Sequence, residues 1–447
     1  MLSPLSLRHY VSFYGAHFQC HRRSNEETAY QYLCGLFHDG KHNIERMNER
    51  IVDSTYASLQ HFVSDSPWDH KLVLSAVRQD ISKLFVPVAE PVGLILDESG
   101  HRKSGRHSVG VARQYLGSIG KVDNGQVGVF AALCQENRVG MVDARLYLPK
   151  EWSKDKKRCR KAGIPLGEER YRTKPELALE MVQGMEGQIN YDWVGGDSLY
   201  GSSPTLRKGL SNLQRCFVMD VGSQQEVYLQ DPKPYIPPSP KGKGRPRNRW
   251  VSEDQPLSLK ALMEQLKPED WTTYTIRQGT KGPLQRVCYS TEVFLWARRR
   301  PKDPQVEALR LIISKNLDGS QLKYSLTNDV ALLIPISEEE LLFRQMHRFW
   351  VERGFQDLKD ALGMTDYQVR GWRAWYHHIT LTIMALHYML EQKIKYQNEI
   401  PLLSCPDIKL FFALTLKTKS TDPETAWELI QVRHQQRKAD LERRKVK

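Results

Sequence analysis

This chain of 447 residues has no apolar run long enough to cross a bilayer. The longest, residues 379–390, spans twelve positions and contains Thr380, Thr382 and His387, where a spanning helix needs about twenty. The first residues, MLSPLSLRHY, lack a charged start leading into an apolar core, so no secretion signal is expected. Cysteine is scarce: seven residues, an odd number, are scattered at positions 20, 34, 134, 159, 216, 288 and 405. That spread excludes a disulfide framework and implies a reducing compartment. Cys20, His21, Cys34 and His38 are of the types zinc takes, but there is no close cysteine pair, and residues 30–37 read as helix interior, so zinc is set aside. Internal repeats and low-complexity tracts are missing as well.

What the chain has in excess is positive charge. Lys and Arg number 65 against 52 Asp and Glu, a formal net charge of +13, which favours a polyanionic partner, most commonly nucleic acid. No long basic amphipathic helix offers a membrane surface as the alternative. Apolar residues at 40% and aromatics at 9% describe a folded protein, and the length allows several domains.

Residues 1–90 read as an all-α N-terminal domain. The spacing of Ser24 and Glu27 is that of a capping box, and Ala29, Leu33, Leu36 and Phe37 follow at helical intervals. Further helices are expected at 44–62 and 69–84. Arg22, Arg23, Lys41, Arg46 and Arg50 would suit a DNA-reading head; a packing domain without DNA contact has the same pattern.

From Val92 the period changes. Residues 92–97 form a short apolar run ending in Asp97, the pattern of a strand buried on both faces. Runs at 126–134 and 139–148 complete a three-stranded meander. The Lys- and Arg-rich stretch 150–172 reads as irregular. Thr173 and Pro175 open a helix to about 187, a fourth strand delivers Asp197, a helix follows at 203–210, and a fifth strand runs over 213–220. Three antiparallel strands, a helix, a strand, a helix and a strand give the order of an RNase H-like core. In that order the first and fourth strands are central neighbours, which would set Asp97 beside Asp197. This first part of the core is assigned to 91–222.

A β-rich insertion domain is expected at 223–337, read as a small sheet of its own. It opens on a Pro/Gly-rich basic loop, 235–250, that contains no acid and carries Lys243, Arg245, Arg247 and Arg249. Such a loop cannot be helix or strand interior. It suits an A·T-rich minor groove, and equally a linker making only phosphate contacts. Arg298, Arg299 and Arg300, in the same insertion, are expected to meet DNA, as are Lys103, Arg106 and Lys121 in the basic segment after Asp97.

The second part of the core, 338–400, contains the segment QMHRFWVERGFQDLK at 345–359, read as one helix. Gln345, Arg348, Glu352 and Lys359 fall on one stripe at 3.6 residues per turn. A solvated face of mixed charge has the same pattern, but Phe349, Trp350, Phe355 and Leu358 argue for a packed helix. Leu362 and Gly363 mark its stop. A last core helix carries Trp372, Trp375, Ile379, Ile383, Leu386 and Leu390 on one side, and 401–447 is a basic helical C-terminal region. The fold class is therefore α/β: an RNase H-like core with a mixed five-stranded sheet, interrupted by a β-rich insertion and preceded by helices.

Asp97, Asp197 and Glu352 supply oxygen ligands with no His or Cys cluster nearby, which points to a hard cation, Mg²⁺ or Mn²⁺. Two such ions about 4 Å apart can clamp a phosphodiester. Arg348 and Lys359 would contact phosphate on the same face. A hydrolytic triad is disfavoured, because no nucleophile elbow is present.

The segments 97–121, GDSLYG at 196–201 and ERGFQDLK at 352–359 followed by Leu362 and Gly363 resemble the DDE transposases of bacterial insertion sequences. The likeness is to the branch with an inserted β domain and a Tyr-Arg-Glu-Lys signature, whose intervening gaps of two, three and six residues are kept around Arg348, Glu352 and Lys359. Gln345 stands in the Tyr place, which leaves the role of that hydroxyl unfilled. Glu98 stands where relatives often have a second Asp, and is read as a supporting residue and not a ligand. The resemblance extends to SPWD at 66–69. It implies cut-and-paste transposition with two Mg²⁺ ions, for which Mn²⁺ would substitute. The partners implied are double-stranded DNA, as terminal inverted repeats and target, and a second copy in a homodimer; the place is the cytoplasm of a bacterium, at the nucleoid. A silent domesticated DNA-binding protein and a metal-dependent nuclease that cuts without joining are the alternatives.

Overall fold

The computed structural model describes residues 2–20, 22–86, 90–238, 249–279, 282–296, 305–331, 335–419 and 422–445. Five helices come first: α1 (Pro4–Phe13), α2 (Glu26–Phe37), α3 (Ile44–Asn48), α4 (Tyr56–Ser64) and α5 (His70–Lys83). The expected start of α2 is corrected: its N-cap is Asn25, and Ser24 Oγ accepts only from the Glu26 amide. The single helix expected at 44–62 is two, because Asp53 takes a φ of 59° between them, a left-handed conformation that ends a helix.

Ten strands then build one sheet: β1 (Gly93–Arg102), β2 (Ala112–Leu116), β3 (Lys121–Gln135), β4 (Arg138–Leu146), β5 (Trp193–Gly196), β6 (Phe217–Asp220), β7 (Thr272–Gly279), β8 (Gly282–Trp296), β9 (Val306–Asn316) and β10 (Lys323–Thr327). Its central order is β4-β3-β1-β5-β6, with β1, β5 and β6 parallel and the flanking pairs antiparallel. This is the RNase H-like arrangement that the order of elements predicts.

The insertion does not form a separate small sheet. β10 pairs antiparallel with β6, Ser325 opposite Asp220, and β9, β8 and β7 continue outward. The parallel β6 would otherwise be an edge with unpaired amides and carbonyls, and β10 covers it. The stretch 150–172 is also more regular than expected, with short helices at Lys150–Lys154 and Lys156–Lys161.

Helices cover the sheet between its strands. α6 (Lys174–Met185) starts at a capping box in which Thr173 and Glu176 bond each other's backbone amides, with Pro175 in its first turn. α7 (Ser198–Gly201) and α8 (Pro204–Asn212) link β5 to β6, and α9 (Leu259–Gln265) lies within the insertion. The predicted helix 345–359 is broken at Arg348 into α10 (Glu338–His347) and α11 (Phe349–Gln356), and Lys359 sits on a π-helical turn, Asp357–Ala361. α12 (Trp372–Lys395), α13 (Cys405–Thr415) and α14 (Pro423–Lys445) follow.

The apolar run at 379–390 proves to be the centre of α12, and nearly all of that helix is buried. Three of its histidines meet partners in the N-terminal region. His378 Nδ1 lies 2.9 Å from Tyr32 Oη, His387 Nδ1 lies 3.0 Å from Tyr10 Oη, and both ring nitrogens of His377 lie 3.0 Å from the carbonyls of Val63 and Trp68. An unmatched buried polar group costs on the order of 1–3 kcal/mol, so these contacts fix which helices α12 can pack against. The N-terminal helices consequently share one continuous hydrophobic core with α12 and the sheet.

Candidate active site

Three parallel strands carry acids at the same level. Leu96 pairs with Gly196 and Gly196 with Met219, so the next residues, Asp97, Asp197 and Asp220, stand side by side; β5 and β6 stop at this level, whereas β1, expected to end at Asp97, runs on to Arg102 paired with β3. The carboxyl end of a parallel sheet is where such folds place ligands. Asp97 Oδ1 accepts from the Glu98 amide at 2.7 Å, and Asp197 caps α7 through the Leu199 amide at 2.9 Å. The tight α7 turn approaches β6 closely at Gly201, where no side chain would fit against the Asp220 carbonyl.

Helix α11 crosses this end of the sheet. Gly354 permits its approach, since a Cβ there would lie 2.7 Å from Val139 Cγ1, and Phe355 packs edge-on against Phe130. The approach brings Arg348 among the acids. Its Nη1 lies 3.5 Å from Asp97 Oδ2 and 3.4 Å from Glu352 Oε1, and its Nε lies 3.4 Å from Asp220 Oδ2. Asp97 and Arg348 are mostly buried, with side chains 13% and 18% exposed, whereas Glu352 is 55% exposed.

Burial pushes the Asp97 carboxyl up to about 7; Arg348 pulls it down and the charge of Asp197 raises it again. Asp197 is raised as well, by burial first and then by Glu98. Burial works against the Arg348 charge, but Asp220, Asp97, Glu352 and Asp197 outweigh it, so its pKa lies above the ordinary arginine value. Carboxylates gathered in this way repel one another unless a cation is among them, and the guanidinium is that cation. Glu98 has both oxygens engaged, one with Lys174 Nζ at 2.8 Å and one with Tyr200 Oη at 3.0 Å.

The oxygen donor set suits a hard divalent ion. Among the described residues, however, no group of three or more His, Cys, Asp and Glu is gathered closely enough to hold a metal ion. Asp97 and Asp197 are adjacent, and Arg348 stands between Asp97 and Glu352.

The remaining expected contacts divide. Lys359 is half-buried, its pKa lowered by burial and drawn up by Asp97. Lys103 is turned inward: its ammonium donates to the Tyr367 carbonyl at 2.6 Å and lies 3.5 Å from the centre of that ring, and burial lowers it to about 7. In this position the ammonium is engaged within the protein. Arg106, Lys121 and Arg249 are exposed. Lys243, Arg245, Arg247, Arg298, Arg299 and Arg300 lie outside the described residues. Gln345 is not on the open face: it is 2% exposed and bonded to Ser314 and Ser325.

Sequence reading passed over Asp220, although it ends an apolar run just as Asp97 and Asp197 do. It also passed over a cleft of about 910 Å³ beside Arg348 and Glu352, to which Arg277, Arg286, Lys323, Phe349 and Trp350 contribute. The Arg277 guanidinium lies 5.3 Å from the Trp350 ring and 5.9 Å from that of Phe349. Isolated cations in alternating strands give no sequence signal of convergence.

The family profile described as "DDE superfamily endonuclease" matches residues 16–283, a span that takes in Asp97 and Asp197 and ends before Glu352. A protein of Microchaete diplosiphon, described as a probable transposase for insertion sequence element IS701, is 36% identical over 148 residues, 32% of this chain. The match spans about a third of that relative's length, 35%. Among solved structures, a piggyBac transposase synaptic complex with hairpin DNA is similar over 93% of this chain and 80% of its own, with a TM-score of 0.42 and 13% identity.

Proposed function

This chain belongs to the DDE superfamily of endonucleases, and on that premise we propose that it is the transposase of a bacterial insertion sequence. In this reading it binds the ends of its element, cleaves DNA there and joins the 3′ ends to target DNA. The observation that carries it is the pair Asp97 and Asp197, emerging in register from two adjacent parallel strands with the Arg348–Glu352 helix laid across them. A merely structural sheet would gain nothing from acids that repel in a half-buried cluster.

Asp97, Asp197 and Glu352 are the proposed catalytic acids and would hold two Mg²⁺ ions, or Mn²⁺ in their place. When bound, such ions polarise a phosphodiester and lower the pKa of an attacking water or hydroxyl. The exposure of Glu352 leaves it free to move toward the other two acids. Arg348 offsets the acids until then, and its charge, with that of Lys359, is placed to meet a scissile phosphate. Arg277, Lys323 and the aromatic pair Phe349 and Trp350 line the adjoining cleft, where cations would hold the backbone and rings would flank bases. Arg106, Lys121 and the basic loops at 235–250 and 298–300 would extend that footprint. The protein would act as a dimer that pairs two ends, in the bacterial cytoplasm at the nucleoid; no helix among the described residues is long and apolar enough to cross a membrane.

The test uses the purified full-length protein, labelled DNA carrying the inverted repeats that flank its reading frame, and Mg²⁺. Cleavage followed by joined product is expected, with Asp97→Asn, Asp197→Asn and Glu352→Gln binding DNA but not cutting it. Cleavage without joining would assign a nuclease instead, and binding without cleavage by the parent a DNA-binding protein.

A further inference from the structure

A line of buried polar side chains runs from the inserted strands to the acids. Arg286 Nε donates to Ser314 Oγ at 3.3 Å, Ser314 Oγ donates to Gln345 Oε1 at 2.5 Å, and Gln345 Nε2 donates to Ser325 Oγ at 2.8 Å. Ser325 Oγ then donates to Asp220 Oδ1 at 2.6 Å. Every donor points the same way, so the line ends with Asp220 as its acceptor. The other Asp220 oxygen faces Arg348 Nε at 3.4 Å. That nitrogen makes no hydrogen bond, so the contact is ionic and leaves the guanidinium free to turn.

Ser314 and Ser325 are wholly buried and Gln345 nearly so, at the interface of α10 with β9 and β10. Apolar side chains of similar size would pack there at least as stably, because buried polar groups return little net free energy even when satisfied. The line is therefore better explained by where it ends than by stability. It gives Gln345, in the place of the signature tyrosine, a role away from DNA.

We propose that Asp220, held in place by Ser325 and Gln345, is a positioning residue for Arg348, sharing the guanidinium with Asp97 and Glu352 and receiving it when a divalent ion reaches those acids. Its part concerning the ion rests on the proposed function. Without the anion at 220, Arg348 stays on Asp97 and Glu352 and competes with the ion.

Mn²⁺ binding to the full-length, DNA-free protein, followed by calorimetry or by the Mn²⁺ electron spin resonance signal, tests the proposal. Asp220→Asn should weaken binding about tenfold, the scale of one lost ionic contact in a half-buried site, and Gln345→Leu should weaken it less. Arg348→Ala should not weaken it, and Asp220→Asn combined with Arg348→Ala should return to the affinity of Arg348→Ala alone. An unchanged affinity in Asp220→Asn overturns the proposal. So does a double variant that stays weak, which would make Asp220 a ligand. A thermal-denaturation cycle of the same two substitutions without metal supplies the second reading: non-additive shifts are expected, and additive ones overturn the proposal. If the parent takes up no Mn²⁺, the metal reading fails, and the thermal cycle alone decides the positioning.

Discussion

Gly201 touches Asp220 backbone to backbone: a Cβ at position 201 would fall within the Asp220 carbonyl and only 3.1 Å from Met219 Cβ. The contact locks the turn after Asp197 against the end of the next strand, and so sets the spacing of two acids. Because backbone is the obstacle, a side chain at this position cannot be relieved by a rotamer change.

Gly201→Ala should therefore destabilise the protein by about 1–3 kcal/mol, the range for overpacking a close contact. Gly222→Ala, where nothing lies within 4 Å of the added carbon, is the control and should leave Tm nearly unchanged. Equal Tm values for the two variants would refute the account of the turn.

Asp197→Asn should raise Tm in metal-free buffer at pH 8 while abolishing DNA cleavage. The asparagine keeps the cap on α7, since Asn caps as well as Asp, and it removes a carboxylate whose charge is disfavoured by burial and by Glu98. A lower Tm would show that the carboxylate is stabilising in the absence of metal.

Acid should unfold the protein from about pH 6.5 downward. Burial pushes His378 down to about 3 and His70 and His387 down to about 4. Their folded pKa values lie below the unfolded one, so the unfolded chain binds more protons as pH falls, and the stability they contribute is lost through that window. Each loss is on the order of 1–2 kcal/mol by pH 5. Glu391 and Asp97 oppose them, because burial first raises both to about 7, which favours the folded state as pH falls; with His101 and His347, which burial lowers to about 3 and about 4, five histidines outweigh two carboxyls. His377 is outside this argument, since both its nitrogens face carbonyls and a second proton would gain it a hydrogen bond. Thermal unfolding at pH 7.5, 6.5 and 5.5 checks the trend, which His378→Asn should flatten.

Arg277→Ala and Lys323→Ala should each weaken DNA binding across sequences and lower the slope of log K against log salt by about one. Fluorescence anisotropy between low and moderate salt reads both quantities. An unchanged slope would place the DNA away from this cleft.

The parts of this fold that were legible in the sequence are those set by short-range pattern. Asp97 and Asp197 each end an apolar run, Thr173 and Pro175 announce a helix start, and the order of strands and helices gives the central sheet. What was not legible depends on pairing at a distance. Nothing local in residues 323–327 states that they will lie beside Asp220, so the inserted strands read as a separate sheet when they extend the main one. Gln345 and Arg348 share a helical stripe, yet one is enclosed and the other reaches the acids, because the helix breaks at Arg348. Lys103 counts as a surface cation by composition and folds back onto Tyr367. Asp220 carries the same sequence signal as Asp97 and Asp197, and nothing in that signal distinguishes an acid that faces Arg348 from one that would hold a metal ion.

The histidines that tie α12 to the first helices set a rule of inheritance for the gene. A copy that began translation after residue 90 would leave three imidazoles and a broad apolar flank of that helix without their partners, and a copy that stopped before residue 372 would leave the first helices with nothing to fold on. Neither fragment would persist as a stable remnant, so damage at either end of the reading frame would silence the whole product.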